Sequence, residues 1–210
     1  VEKGRTRNLT RSSGAHDRIA AWSPDGDLIA YVSDASGEDE IWLVGHEGDT
    51  VARQLTNGHA ARMTGMLWSP DASRIAFTDY LGRLSVVDLE SGAETLVLDD
   101  PWWGIGDADW SPDGAHLAFS SRNEAQVQRI HVWSAGSGEL RQVTSDLASA
   151  WSPSWGPGGD YLFYLSDRHY APQISDLEWN YAGNRRARIF ALALREDVAP
   201  LFPAEDDAVT

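Results

Sequence analysis

Apolar residues along the chain gather in short runs of strand length, each preceded by the same cluster of turn-forming residues. WSPDGDLIAY begins at Trp22, WSPDASRIAF at Trp68, WSPDGAHLAF at Trp110 and WGPGGDYLFY at Trp155, spaced 46, 42 and 45 residues apart. A second apolar run follows each of these: EIWLV (40–44), RLSVVD (83–88), RIHVW (129–133) and RIFALAL (188–194). A third element lies between units: RNLT (7–10), RQLT (53–56), ETLVL (94–98) and RQVT (141–144). Three elements recurring in one order define a repeat, and a repeat of this length decides the fold.

Ser-Pro-Asp-Gly reads as a type I turn: Ser suits its first position, Pro presets φ at the second and Gly is favoured at the fourth. The Trp before it ends an incoming strand. The nearly continuous apolar runs LIAY, RIAF, HLAF and YLFY suit strands buried on both faces. Gly-containing turns such as DLESGAE (88–94) and WSAGSGEL (133–140) close a further hairpin. One repeat is thus four antiparallel strands, a to d, and about 45 such residues cannot stand alone. Ordering their backbone costs about 1–2 kcal/mol per residue, while each large buried side chain returns about 1.5–3 kcal/mol. Both faces must be covered by neighbours. The expected fold is all-β, a β-propeller of four-stranded antiparallel blades with about four blades present; a flat solenoid is the rival.

The expected boundaries are an orphan d strand at 1–10, blades at 16–56, 62–98, 105–144 and 150–200, an insertion at 167–187 in the last blade, and a tail at 201–210. The tally of one d, three abcd sets and a final abc makes four blades if the first strand completes the last sheet. A four-bladed ring, an arc of a larger propeller, and a dimer formed by strand or edge pairing all remain open.

The chain of 210 residues carries a net charge of −15, which disfavours phosphate backbones and anionic membranes as partners. No Cys is present, so disulfides, thiolate metal sites and Cys nucleophiles are excluded. No run approaches eighteen apolar residues, and no basic stretch leads into an apolar one near the start. A cytoplasmic setting is expected, or a periplasmic one if the true start lies upstream of Val1.

The WSPDG repeats resemble the broad TolB-like and WD40-like propeller group. Two stretches narrow the resemblance: VEKGRTRNLTRSSGAHDRIAAWSPDG (1–26) and the segment running from Tyr164 to Asp207. Both are similar to the seven-bladed propeller of tricorn-type serine peptidases, and the likeness covers essentially the whole chain. The long b–c insertion between Ser166 and Arg188 is its most specific part. The resemblance implies a non-catalytic segment that guides or filters peptides toward a serine peptidase core and supports assembly. That core, a PDZ domain and another propeller are not represented in these residues, so no catalytic residue carries over. The alternative is a free-standing TolB-like protein-interaction propeller; a propeller enzyme acting on sugars ranks below both.

The residues themselves offer no Gly-x-Ser-x-Gly elbow, no His-Glu-x-x-His and no phosphate-binding glycine loop. The six His are scattered, so neither a metal nor a cofactor is expected, and His116 and His131 read as structural residues within strands. Peptide-contact candidates at the tunnel mouth are His16, Asp17, Arg18, Arg62, Trp102, Trp103 and Asp107. Asp17 equally suits fixing its own loop by accepting backbone N–H groups, the preferred reading, and Arg18 suits pairing with Asp17 or with a neighbouring blade. DDPWWGIGDADW (99–110) sets Trp102 and Trp103 among four Asp, a platform for a cationic peptide group unless the indoles plug a gap between blades. SDASGEDE (33–40) lacks the spacing of a calcium loop and reads as a solvated b–c turn. Trp179, Tyr181, Arg185 and Arg186 in the insertion suit interdomain packing.

Overall fold

The hydroxyl of Ser23 donates to Asp25 Oδ1 at 2.5 Å, the Leu28 N–H donates to Ser23 Oγ at 2.9 Å, and the Gly26 N–H donates to the Ser23 carbonyl at 2.9 Å. The same turn is built at Ser69 and Asp71 and at Ser111 and Asp113, again with 2.5 Å hydroxyl–carboxylate bonds. In the fourth repeat Gly156 replaces the Ser, so the side-chain bonds are lost and backbone bonds remain, from the Gly159 N–H to the Gly156 carbonyl at 2.9 Å and from the Gly156 N–H to the Tyr161 carbonyl at 2.8 Å. The fourth residue of the turn takes positive φ each time. Gly26, Gly114 and Gly159 adopt it at 82°, 67° and 73°, and Ala72 is held at 58°.

The structure is a computed structural model and describes residues 6–47, 50–100, 102, 104–168, 187–199 and 201. Its strands form four antiparallel sheets in chain order. Blade 1 comprises β1 (Asp17–Trp22), β2 (Leu28–Ser33), β3 (Glu40–Gly45) and β4 (Arg53–Gln54). Blade 2 comprises β5 (Met63–Trp68), β6 (Arg74–Asp79), β7 (Arg83–Asp88) and β8 (Glu94–Asp99). Blade 3 comprises β9 (Ala108–Trp110), β10 (His116–Arg122), β11 (Gln128–Ser134) and β12 (Leu140–Gln142). Blade 4 has three strands among the described residues: β13 (Ala150–Trp155), β14 (Tyr161–Ser166) and β15 (Arg188–Ala193).

Corresponding residues hold one register throughout. Trp22 pairs with Ile29, Trp68 with Ile75, Trp110 with Leu117 and Trp155 with Leu162. Three residues further along each second strand, Val32 pairs with Ile41, Thr78 with Leu84, Ser120 with Ile130 and Leu165 with Ile189. The first strands β1, β5 and β13 also bulge near their beginnings, with Ile19 and Ser152 at φ near 50°.

Each pair of neighbouring blades shares one apolar seam. Ile41, Leu43 and Leu55 of blade 1 meet Trp68, Ile75 and Phe77 of blade 2. Leu84 and Val86 of blade 2 meet Trp110 and Phe119 of blade 3, and Ile130 of blade 3 meets Leu162 and Tyr164 of blade 4. Indole N–H groups cross two of the seams: Trp68 donates to the Ala21 carbonyl at 3.2 Å and Trp155 to the Asp109 carbonyl at 3.0 Å. Among the described residues no buried cluster joins blade 4 to blade 1.

The expected strand at 7–10 does not form in the structure. Residues 6–16 hold no strand, and Asn8 Oδ1 instead accepts the Thr10 hydroxyl at 3.3 Å and the Arg11 N–H at 3.2 Å. The physical reason is that no third strand lies beside this segment to complete a ladder, so local side-chain bonds take its place.

Ala72 carries a left-handed cost that its three counterparts avoid. Ala72→Gly is expected to raise unfolding free energy by about 0.5–1 kcal/mol, and Gly114→Ala to lower it by about 1–2 kcal/mol. A Cβ at 114 would also stand 3.2 Å from the Asp71 carboxylate of the neighbouring blade. Urea denaturation checks both directions; equal midpoints for all three proteins would contradict this account of the turn.

Candidate functional site

The second strand of every blade ends, and the first and third strands begin, at one end of the molecule. The connections 11–16, 57–62 and 100–107 therefore gather there with the b–c turns, and the chain leaves β14 and re-enters β15 at this same end. The topology brings His16, Asp17, Arg18, Arg62, Trp102 and Asp107 to this one surface. Trp103, Trp179, Tyr181, Arg185 and Arg186 lie outside the described residues.

Most carboxylates here serve the fold. Asp17 accepts the Ser12 hydroxyl at 2.5 Å and the Ser33 hydroxyl at 2.6 Å. Burial works to raise its pKa, but these hydroxyl bonds outweigh it and hold Asp17 below the usual carboxylate value. Asp34 accepts the His16 N–H at 2.7 Å. Arg18 donates to the Met63 carbonyl of blade 2 at 2.7 Å and pairs with Asp39, which also accepts the Met63 N–H at 3.0 Å. Burial and the nearby Arg62 charge depress the Arg18 guanidinium. Arg18 is thus a brace between blades, the neighbouring-blade pairing among the sequence alternatives.

Asp107 accepts the Ser152 hydroxyl at 2.7 Å, and Asp109 accepts the Trp155 N–H at 2.8 Å, so both tie blade 3 to blade 4. Asp100 is buried and accepts the Trp102 N–H at 2.9 Å, with its other oxygen unpartnered. The groups facing water include the His16, Arg62 and Arg122 side chains, the Glu38 and Glu124 carboxylates on the b–c turns of blades 1 and 3, Tyr80 and Leu81 on that of blade 2, and Trp102, which is 49% exposed. The surface offers aromatic and cationic contacts beside acids of which Asp17, Asp39, Asp107 and Asp109 are committed to the fold.

SDASGEDE forms the solvated b–c turn its composition suggests, with residues 34–38 exposed, but its last residue departs from that reading. Glu40 is buried, its carboxylate accepting the Thr56 hydroxyl at 2.6 Å and the His59 N–H at 3.0 Å. Thr56 Oγ1 in turn accepts the Ile41 N–H at 2.8 Å, and Thr144 does the same for Ile130 at 2.9 Å. Recurrence of Thr in RQLT and RQVT was the available signal for this cap; the burial of Glu40 had none.

Sequence reasoning also missed two histidine pairings. His59 lies edge-on to Phe77 and bonds Glu94 at 2.9 Å, beside a cleft of about 260 Å³ lined by Asp79, Arg83, Ser85 and Leu96. The Glu94 bond raises the His59 pKa above its ordinary value against the pull of burial. His131 is buried, stacks on Phe119 and bonds Ser121 at 3.0 Å; burial, with the Arg129 charge, pushes its pKa down to about 4. Among the described residues no group of three or more His, Asp or Glu could hold a metal ion. None of their helices is long and apolar enough to cross a membrane.

The family model for the tricorn protease second beta propeller domain matches residues 1–210. The chain belongs to this family. A tricorn protease homolog of Streptomyces coelicolor is 27% identical over 91% of the chain, and one of Saccharolobus solfataricus is 23% identical over 98%. The match spans 18% of each relative's length. A crystal structure of the tricorn protease superposes on 90% of the chain with a TM-score of 0.78 at 17% identity, using 19% of that protein, a likeness of fold.

Buried His131 and half-buried His59 give this tricorn-family propeller opposite pH responses. The folded pKa of His131, about 4, lies below the ordinary 6.5. Its contribution is therefore complete above pH 6.5 and falls as pH drops toward 4, by at most about 3 kcal/mol. His59 is raised, so its contribution is complete below pH 6.5 and fades as pH rises through its folded pKa. In pH-resolved urea melts, His131→Asn is expected to flatten the acid limb and His59→Asn the limb above pH 6.5. Slopes matching the parent chain in both variants would refute the assignment.

Proposed function

We propose that the chain is the non-catalytic propeller segment of a tricorn-like serine peptidase, guiding or filtering peptide substrates and supporting assembly. The observation that carries this reading is Trp102. It stands half-exposed on the connection between β8 and β9, at the end that also presents His16, Arg62 and Tyr80. An indole can seat an apolar or cationic peptide side chain without selecting one sequence, which suits a filter better than a specific receptor. Net charge of −15 draws cationic segments toward the molecule. Family membership supports a setting beside a peptidase core, with bond cleavage assigned to that core; a cytoplasmic location belongs to the same reading.

Fluorescence anisotropy with labelled, unstructured peptides tests it. A cationic peptide is expected to bind saturably with Kd on the order of 0.1–1 mM, and an acidic peptide of equal length at least tenfold more weakly. Trp102→Ala is expected to weaken the cationic peptide about tenfold, while Trp22→Ala at the far blade face leaves it unchanged. Capture of a folded partner without peptide binding would transfer the case to a protein-interaction propeller. Hydrolysis of the peptides by the purified chain would overturn the non-catalytic part.

A further inference from the structure

Blade 2 differs from its neighbours at its outer rim. Its fourth strand, β8, runs for six residues from Glu94 to Asp99, whereas β4 and β12 span two and three. β8 pairs with β7, and among the described residues no strand lies along its other side. The Asp88 N–H donates to the Ala93 carbonyl at 3.0 Å and the Asp100 N–H to the Gly82 carbonyl at 2.9 Å. Alternation along the antiparallel ladder then turns the backbone groups of Glu94, Leu96 and Asp99 outward. A row of unpaired N–H and C=O groups is a template for another strand. All four strands of blade 2 are described, with blade 1 and blade 3 on either side, so this rim does not depend on where the chain begins or ends.

The side chains of β8 select what can pair there. Val97, the extra residue of a bulge, turns into the core, which leaves Leu96 57% exposed on the opposite face. Leu96 and Glu94 line the cleft of about 260 Å³ beside His59 and Arg83, so an apolar side chain on an added strand meets Leu96 over that cleft. The charged residues of β8, Glu94 and Asp99, are both acidic and stand at its two ends. A second copy of β8 is therefore a poor occupant. Antiparallel self-pairing sets Glu94 against Asp99, parallel self-pairing sets each acid beside its own copy, and like charges opposite one another destabilise a sheet. A strand with basic ends is favoured in either direction, and the net charge of −15 draws it in.

We infer that the outer edge of β8 is a strand-addition site for an extended segment of a partner polypeptide, one with Arg or Lys at its ends and apolar or β-branched residues between. That segment becomes the fifth strand of blade 2. Its backbone bonds the outward N–H and C=O groups of Glu94, Leu96 and Asp99, an apolar side chain covers Leu96, and its basic ends face Glu94 and Asp99. The surface around Trp102 offers side chains, whereas this rim offers backbone groups, so the two sites are tested separately.

The probe is an acetylated and amidated peptide, Arg-Thr-Val-Ile-Thr-Arg, titrated into the chain by calorimetry, with amide hydrogen exchange of the complex locating it. Saturable binding with Kd on the order of 0.1–1 mM is expected, with slowed exchange at the Glu94, Leu96 and Asp99 amides. Replacing the peptide's Val by Pro, or both its Arg by Glu, is expected to weaken binding at least tenfold. Leu96→Pro removes an outward N–H and spares the ladder to β7, and is expected to abolish binding. Leu96→Lys keeps the circular dichroism spectrum, because the side chain is exposed, and weakens the peptide at least tenfold by repulsion. Trp102→Ala leaves both affinity and protection unchanged. Absence of saturable binding up to about 5 mM overturns the proposal. So does equal affinity for the Pro peptide, which excludes strand pairing. Binding lost in Trp102→Ala, with protection confined to residues 100–107, overturns it in favour of the loop surface. Self-association of the chain alone that Leu96→Lys abolishes assigns the edge to a second copy and overturns the basic partner.

Discussion

Each sheet has to bury both of its faces, and the rest of the structure follows from that constraint. A blade of about 45 residues presents Ile41 or its equivalents on one side and Trp68 or its equivalents on the other, so no blade has an inside of its own. Burial of such a side chain contributes about 1.5–3 kcal/mol, against about 1–2 kcal/mol per residue for ordering the backbone. Stability therefore resides in the seams. The indole bonds of Trp68 and Trp155 to first-strand carbonyls set the depth at which one blade sits on the next. Trp110 packs edge-on to Trp133 at 6.3 Å without a hydrogen-bond partner for its N–H, so its seam rests on apolar contact.

The second demand is for acceptors. The first strands and the connections leading into them carry backbone N–H groups that no ladder neighbour accepts, and such groups need partners. Acidic side chains meet much of that need: Asp39 takes the Met63 N–H, Asp109 the Trp155 N–H, Asp34 the His16 N–H and Glu40 the His59 N–H. The chain's acidity is thus partly architectural. This changes what its surface can bind, because a carboxylate already accepting an N–H and a hydroxyl has less capacity to hold a peptide amine. Trp102 and Arg62 remain uncommitted in a way that Asp17 and Asp107 do not.

Periodicity made the blades legible before any coordinates. The Trp that ends each first strand, the Ser-Asp turn and the four-element order appear as the spacing predicts, because each is a local pattern repeated at a fixed interval. Legibility failed where the partner was distant in sequence. Glu40 sits in an acid-rich stretch that looks like a water-exposed turn, and only the approach of Thr56 and His59 makes its burial tolerable. His59 on the connection into blade 2 and Glu94 on its last strand are 35 residues apart, so no short-range spacing rule joins them. Residues 7–10 expose the opposite error. The RNLT pattern is that of an outer strand, but a strand needs a ladder, and pattern alone does not supply the neighbour.

Covered seams define what the end surface can do. The loops bearing His16, Arg62 and Trp102 are anchored through groups that cross blades: Arg18 to Met63, Asp107 to Ser152 and Asp109 to Trp155. A ligand contacting those loops therefore meets a surface whose spacing is set by the seams. Rigid spacing favours discrimination by shape and charge, since little ordering cost falls on the protein when a peptide arrives. It disfavours bond-making chemistry, which needs a nucleophile, a base and an oxyanion donor converging on one point. Among the described residues the hydrogen-bonded His–Ser pair, His131 and Ser121, is buried against Phe119 with the basicity of His131 suppressed. The geometry that makes the blades a firm scaffold thus commits Asp17, Arg18, Asp39, Asp107 and Asp109 to holding the loops in place.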